Sequence, residues 1–384
     1  VTRATIAGPL AGLSVIQLAG IGPVPFAAMI LADLGADVIR VDRVGAAPLI
    51  DPVFDVTARS RRALAVDLKS DAGRDLLLTL IAASDVVLEG LRPGAAERLG
   101  LGPTACRERN PQLVYGRMTG WGQDGPYART AGHDINYLAV AGGLHPIGYA
   151  DRPAVPPLNI VGDFGGGAMY LAVGVVAAVL HSRTTGLGDV VDASIVDGVA
   201  SLMAMVRGWA AEGSWTDRRE ANILDGGAPF YGVFRCADGL DVAVGAIEPP
   251  FWATFLERMG LDGEPLMGFR DDPARWGELR ERLSGHFASA PRAHWLERTA
   301  GTDACLTAVL SVSESLEDPH VRWRGTFVDV GGVTQPAPAP RFAFARERRP
   351  TPAPTHGEHT DEILGMLGCS PEKIAELRSA GIVA

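Results

Sequence analysis

Three residues with acid–base side chains stand in stretches of the chain that are otherwise almost free of charge. His133 lies in Gly132-His133-Asp134-Ile135-Asn136, Asp163 in Val161-Gly162-Asp163-Phe164-Gly165-Gly166-Gly167, and Glu248 after the apolar run Val242-Ala243-Val244-Gly245-Ala246-Ile247. An ionised carboxylate in an apolar surround is costly unless paired or hydrogen-bonded, so such a residue has either a structural partner or a chemical task. One imidazole and two carboxyl groups suit proton transfer at carbon, and the glycines let backbone approach a bulky ligand. Each residue also has a plain structural reading. His133 or Asp134 can cap a helix that begins near Ile135, and Asp163 can cap the helix that follows it, because Asp is a favoured N-cap. Capping and catalysis are compatible.

The elements that must position these residues are legible in the first part of the chain. Leu13–Leu18 reads as a strand, Ala27–Leu34 as a helix, Asp37–Val41 as a strand and Asp71–Ala83 as a helix. Asp85–Glu89 and Leu113–Met118 continue the series. This alternation predicts parallel strands with crossover helices, a Rossmann-like α/β sheet whose ligands bind beyond the strand C-termini. Gly20-Ile21-Gly22-Pro23-Val24-Pro25 imitates a dinucleotide fingerprint, with Asp42 after the second strand. The imitation fails because Pro25 takes the place of the third glycine and neither proline has an N–H to offer a pyrophosphate. A turn leading into a helix start is the better reading.

Composition narrows the partners. A chain of 384 residues predicts two domains. The net charge of −10, with no Lys/Arg-rich run, argues against a nucleic-acid partner. An anionic ligand must therefore meet a local basic cluster. Arg40 and Arg43 end the second strand, Arg61 precedes a third strand-like segment, Lys69 follows it, and Arg92 and Arg98 follow the fourth. A parallel sheet would gather them at one edge, where the phosphates of coenzyme A would find several cations. Cys106, Cys236, Cys305 and Cys369 have neither CxxC spacing nor disulfide-framework density, which predicts a reduced, cytoplasmic setting. The opening Val1-Thr2-Arg3 predicts no signal peptide, and Gly165–Leu180 reads as a buried core helix rather than a membrane span.

Several longer motifs carry a resemblance. Leu31-Ala32-Asp33-Leu34-Gly35-Ala36-Asp37-Val38-Ile39-Arg40-Val41-Asp42, Arg92-Pro93-Gly94, Arg98-Leu99-Gly100-Leu101 and Thr119-Gly120-Trp121-Gly122-Gln123-Asp124-Gly125-Pro126 resemble the family III CoA-transferases. The segments 132–137 and 162–167 are similar, within that family, to the α-methylacyl-CoA racemases. The resemblance spans nearly the whole chain, through Asp318-Pro319-His320 and the tail from Gly357 to Gly381.

The resemblance implies a large Rossmann-like domain built from both chain ends, a smaller α+β domain between them, and two subunits interlocked as a homodimer. On this sequence that plan gives a CoA-binding domain over 1–190, linker helices over 191–224, a small domain over 225–318 and a linker with C-terminal return over 319–384. Pro336-Ala337-Pro338-Ala339-Pro340 and Arg349-Pro350-Thr351-Pro352 read as extended connectors for that return.

The implied activity is that of an isomerase of lipid and fatty acid metabolism, interconverting (R)- and (S)-2-methylacyl-CoA with no cofactor beyond the coenzyme A of the substrate. Inversion needs a base on one face of Cα and an acid on the other. The resemblance assigns these roles to His133, paired with Glu248, and to Asp163. The backbone N–H of Asp134 is the candidate donor to the enolate oxygen, and Asn159 a candidate hydrogen-bond partner for Asp163. Two alternatives stand beside this reading. A CoA-transferase would use Asp163 as a covalent nucleophile, and a CoA-binding protein without catalysis would use none of the three. No membrane partner is expected. Val24, Phe26 and Gly232 depart from the related racemases in ways that bear on the acyl pocket.

Overall fold

The computed structural model describes residues 8–18, 20–48, 50–345 and 348–384. The chain divides into two compact units, one of residues 1–141, 158–202 and 323–384, the other of residues 142–157 and 203–322.

The first unit is built on strands β1 (Ser14–Leu18), β2 (Asp37–Arg43), β3 (Arg62–Val66), β4 (Val86–Glu89), β5 (Val114–Thr119) and β6 (Val190–Ser194), in spatial order β3-β2-β1-β4-β5-β6. All five pairings are parallel. Helices α1 (Pro23–Asp33), α2 (Asp71–Ala82), α3 (Ala95–Arg98), α4 (Pro103–Arg109), α5 (Asp134–Val140), α6 (Met169–Thr185) and α7 (Ile195–Leu202) belong to the same unit. Strands covered by helices on both faces read as near-continuous apolar runs, and β4 is buried at every position, its one charged residue being the terminal Glu89. The strand order reverses direction between β1 and β4, which opens a crevice beyond their C-terminal ends.

The second unit holds α8 (Ala204–Glu212), the antiparallel sheet β7 (Tyr231–Arg235), β8 (Asp241–Gly245) and β9 (Leu306–Ala308), and helices α9 (Pro249–Met259), α10 (Trp276–Phe287) and α11 (Arg292–Thr299). Its core is aromatic, around Phe230, Phe234, Trp252, Phe255, Phe287 and Trp295. The short helix α12 (Pro319–Trp323) leads back to the first unit. There β10 (Phe327–Val330) and β11 (Val333–Pro336) form a hairpin, and α13 (Thr360–Met366) and α14 (Pro371–Ser379) complete the chain.

Both chain ends thus contribute to the first unit. His359 N–H donates to the Ala63 carbonyl, and Val383 bridges Val66, so the C-terminal segment covers the outer edge of β3. Ile363, Leu364 and Leu377 join the core beneath that edge. Arg59, almost fully buried, links α1 to the hairpin through Asp33 Oδ2 at 2.6 Å and Gln335 Oε1 at 3.0 Å.

Two expectations are corrected by these contacts. A boundary at 190 falls at the first residue of β6, whose pairing with β5 keeps residues up to Leu202 in the first unit. Residues 142–157 belong instead to the second unit. The segment Gly165–Leu180 is part of a helical run over Ile160–Thr185 that is long and apolar enough to cross a membrane, and it is buried on one side only. The sheet takes one face of α6, while Met169, Val173, Val176 and Leu180 point outward.

Candidate active site

Asp163 is held in a π-helix over Ile160–Ala168. The Phe164 N–H reaches back five residues to the Asn159 carbonyl at 3.1 Å, which is the wide turn of this geometry. Asp163 is therefore inside a helical turn and is not the N-cap of α6, contrary to the capping expectation. Glycines make the wide turn possible. A Cβ on Gly162 would lie 2.2 Å from Asp134 Oδ1, and one on Gly166 would press against Val199 of α7. Asp163 N–H donates to that same Asp134 Oδ1 at 2.6 Å. The ring of Phe164 stacks on Phe26 of α1 with centroids 4.1 Å apart.

His133 is the N-cap residue of α5, in extended conformation, and its N–H donates to Asn136 Oδ1 at 3.0 Å. The bond anchors the backbone at the start of α5. Asp134 follows at the first helical position, where amides lack an intrahelical acceptor.

His133 and Asp163 line one cavity of about 340 Å³ beyond the C-terminal ends of β1, β4 and β5. Gly22, Pro23 and Val24 contribute from the start of α1, Leu91 and Arg92 from the loop after β4, and Trp121 and Tyr137 close the far side. Glu89, completely buried, fixes the β4 loop: one carboxylate oxygen accepts from Leu91 N–H at 2.6 Å and the other from Arg117 Nε at 2.9 Å. Burial raises the Glu89 pKa against the pull of these bonds. Gly120 has to be glycine, because a Cβ there would sit inside the Tyr137 ring.

The electrostatics of Asp163 are unusual for a carboxyl. Burial, followed by the neighbouring Asp134 carboxylate, pushes its pKa up to about 6, against the opposing influence of His133 and a hydrogen bond from Asn159. Near neutral pH it exists in both forms, which is what a group that must give and take a proton requires.

The predicted basic residues divide. Arg40 and Arg43 line a second cavity of about 360 Å³, which shares Ile21 and Gly22 with the first. Arg40 is paired there with Asp42 at 2.9 Å. Arg92 lines the acid–base cavity, Arg98 is exposed on α3, and Lys69 is exposed beyond β3. Arg61 departs from the expectation of a free cation. Its guanidinium is buried and bonds to Gln17 and to the carbonyls of Pro25 and Thr57, and burial lowers its pKa to about 9. It braces the first turn of α1 to β1.

Glu248 belongs to the second unit, as the exposed N-cap residue of α9, and makes no cap hydrogen bond. Gly232 lies in β7 of that unit. Val24 lines the acid–base cavity, whereas Phe26 is engaged with Phe164. The second unit has a larger cavity, of about 480 Å³. Its imidazole, His145, is engaged with the Asp217 carbonyl at 2.6 Å, and Arg219 bonds to three loop carbonyls, so these groups serve the loop itself.

Sequence reasoning missed Tyr137, Gly22, and the buried pair Glu89 and Arg117. Tyr137 stands inside the motif that carried the resemblance, and its helical spacing from His133 was the available signal.

The pattern that defines CoA-transferase family III matches residues 10–360. The chain belongs to that family. Within it, the chain is 42% identical over 381 residues to the α-methylacyl-CoA racemase of Mus musculus, covering 97% of each chain, and 40% identical over 386 residues to that of Homo sapiens, again with 97% coverage of each. A solved CaiB/BaiF family protein from Brucella suis superposes with a TM-score of 0.81 at 25% identity, covering 94% of this chain and 100% of that one. The family likeness thus extends over both units.

Proposed function

We propose that this protein is an acyl-CoA racemase that interconverts (R)- and (S)-2-methylacyl-CoA thioesters. The observation that carries the reading is a carboxyl with its pKa pushed up to about 6, sharing one cavity with an imidazole at a helix start. The 42% identity to a curated racemase over nearly the full chain supports the same activity.

In one direction His133 takes the α-proton while protonated Asp163 delivers one to the opposite face of the carbanion carbon. In the other direction Asp163 is the base and imidazolium the acid. The thioester carbonyl spreads the intermediate charge onto oxygen, and the Asp134 N–H, directed by the start of α5, is its proposed donor. Asn159 steadies the Asp163 carboxylate. Glu248, whose carboxylate is not committed to its own helix start, is the third residue proposed for the acid–base chemistry.

Coenzyme A enters as part of the substrate, with its nucleotide end proposed for the cavity of Arg40 and Arg43 and its thioester end for that of Asp163. This route needs no metal, flavin or pyridoxal, because the thioester itself supplies the electron sink. The outward stripe of Met169, Val173, Val176 and Leu180 on α6 is apolar surface that a second copy would cover, supporting a homodimer. With that face covered, the protein is proposed to be cytoplasmic and not membrane-bound.

The test is incubation with one enantiomer of a 2-methylacyl-CoA in deuterium oxide. Loss of the α-proton signal together with racemisation, both abolished in His133→Ala and Asp163→Ala, is the expected result. Absence of exchange with trapping of an Asp163 acyl adduct by hydroxylamine would favour the CoA-transferase chemistry known in the family. Normal CoA binding with neither reaction would leave a binding protein.

A further inference from the structure

The start of α1 lacks half of the hydrogen-bond donors a helix start normally presents, and it lies against the carboxyl group of Asp163. Gly22 is the N-cap, with φ 71° and ψ −121°, and Pro23 and Pro25 fill the first and third helical positions. A helix normally presents unpaired N–H groups in its first turn, together with the positive end of its dipole, and a carboxylate placed there is stabilised as the anion. Here two of the four amides that a helix start leaves unpaired belong to prolines and have no hydrogen, so that Gly22 and Val24 alone retain one.

The geometry brings this turn onto Asp163. A Cβ built on Gly22 would lie 3.2 Å from Asp163 Oδ2, and the nitrogen of Pro23 is two bonds from the Cα that carries it. Pro23 lines the same cavity as Asp163, while Pro25 lines the neighbouring one. A Cβ on Gly167 would come 3.3 Å from the Pro23 ring, and Phe26 stacks on Phe164, so α1 and the π-helix are packed together at this point. The other groups facing the carboxyl are His133, Asp134 and Tyr137 of α5 and Asn159, with Arg92 beyond Tyr137. Asp197 of α7 is engaged with Ser194, and α1 offers no acidic side chain in its first turn.

We propose that Pro23 is a positioning residue for the proton transfer, whose role is to withhold a backbone N–H from Asp163, so that this carboxyl keeps access to its neutral form beside a helix N-terminus. The inference rests on the acid–base reading of Asp163. It differs from a packing role for the proline, because what matters is the missing hydrogen and not the ring.

The experiment compares Pro23→Ala, which restores an N–H, with the same position replaced by lactic acid through nonsense suppression, which gives the alanine side chain on an ester linkage without one. The carboxyl of Asp163 is followed by ¹³C NMR in the full-length protein across the pH range. The midpoint is expected to fall by about one pH unit in Pro23→Ala, the effect of one added donor to a carboxylate, and to stay at the wild-type value in the ester protein. The pH–rate limb assigned to Asp163 should move with it. An unmoved midpoint in Pro23→Ala, or equal movement in both proteins, overturns the proposal. The titration is read without substrate, so a failed racemase assignment shows separately, as absent α-proton exchange in the wild type.

Discussion

The task proposed for Asp163 and its cost in stability come from the same surroundings. Its folded-state pKa of about 6 lies above the ordinary 3.8, so the folded protein binds this proton more tightly than the unfolded chain does. The stabilisation that follows is complete below about pH 4 and is lost as pH rises through about 6. Asp163→Asn is therefore expected to gain about 1–2 kcal/mol at pH 8 and nothing at pH 3.5, measured by urea denaturation, once solvent screening of a part-exposed group is allowed for. The same variant should lose about 10²–10⁴-fold in racemisation rate, as should His133→Ala, because each removes one of the two proposed proton carriers. A rate loss in Asp163→Asn without the pH-dependent gain in stability would mean that the carboxyl is not held neutral by its environment.

At the scale of elements, the site is a meeting of helix starts with one wide turn, and it closes only because glycine occupies the contact points. Gly198 of α7 lies against the Gly166 carbonyl so closely that an added Cβ would stand 1.7 Å from that oxygen. Gly198→Ala is expected to destabilise the first unit by about 1–3 kcal/mol, through forced separation of α7 from the π-helix, and to lower activity more than a surface variant of equal stability. Thermal melts alongside racemisation assays distinguish the two effects. Gly162→Ala should act still more locally. It drives the Asp134 carboxylate off the Asp163 N–H, so the rate should fall by more than tenfold while CoA affinity, measured by calorimetry, stays within about twofold. The π-turn has no signature of its own in the chain: a run of three glycines fits close packing as well as it fits a widened helix.

At the scale of the whole molecule, the unsatisfied surface is the outward face of α6, where Val173 is 65% and Leu180 68% exposed. A helix with one face on a sheet and an apolar stripe on the other needs a second cover. Replacing Val173 and Leu180 together by Glu is expected to shift the sedimentation profile from dimer to monomer. A wild-type protein that sediments as a monomer would contradict the proposed assembly. The return of the C-terminal segment is held by Arg59, buried between Asp33 and Gln335. Arg59→Ala strands a buried carboxylate and should cost about 3–5 kcal/mol.

The sequence by itself determined the alternation of strands and helices in the first unit, the positions of His133 and Asp163, and the failure of the nucleotide fingerprint at Pro25. All of these depend on local periodicity or on what one side chain lacks. Only the tertiary structure decided that Arg61 turns inward to bind carbonyls while Arg43 remains at a cavity mouth, since both are arginines near strand ends and only packing separates them. The place where the first unit ends was likewise a tertiary matter. β6 carries Asp192 and Ser194 and shows its place only through its hydrogen bonds to β5, and the glycines and prolines of residues 142–157 mark a loop without saying which unit it joins. The pKa of Asp163 belongs to the same class. It depends on how much water the folded chain removes and on the approach of Asp134 from another helix, and neither is encoded by any spacing along the chain.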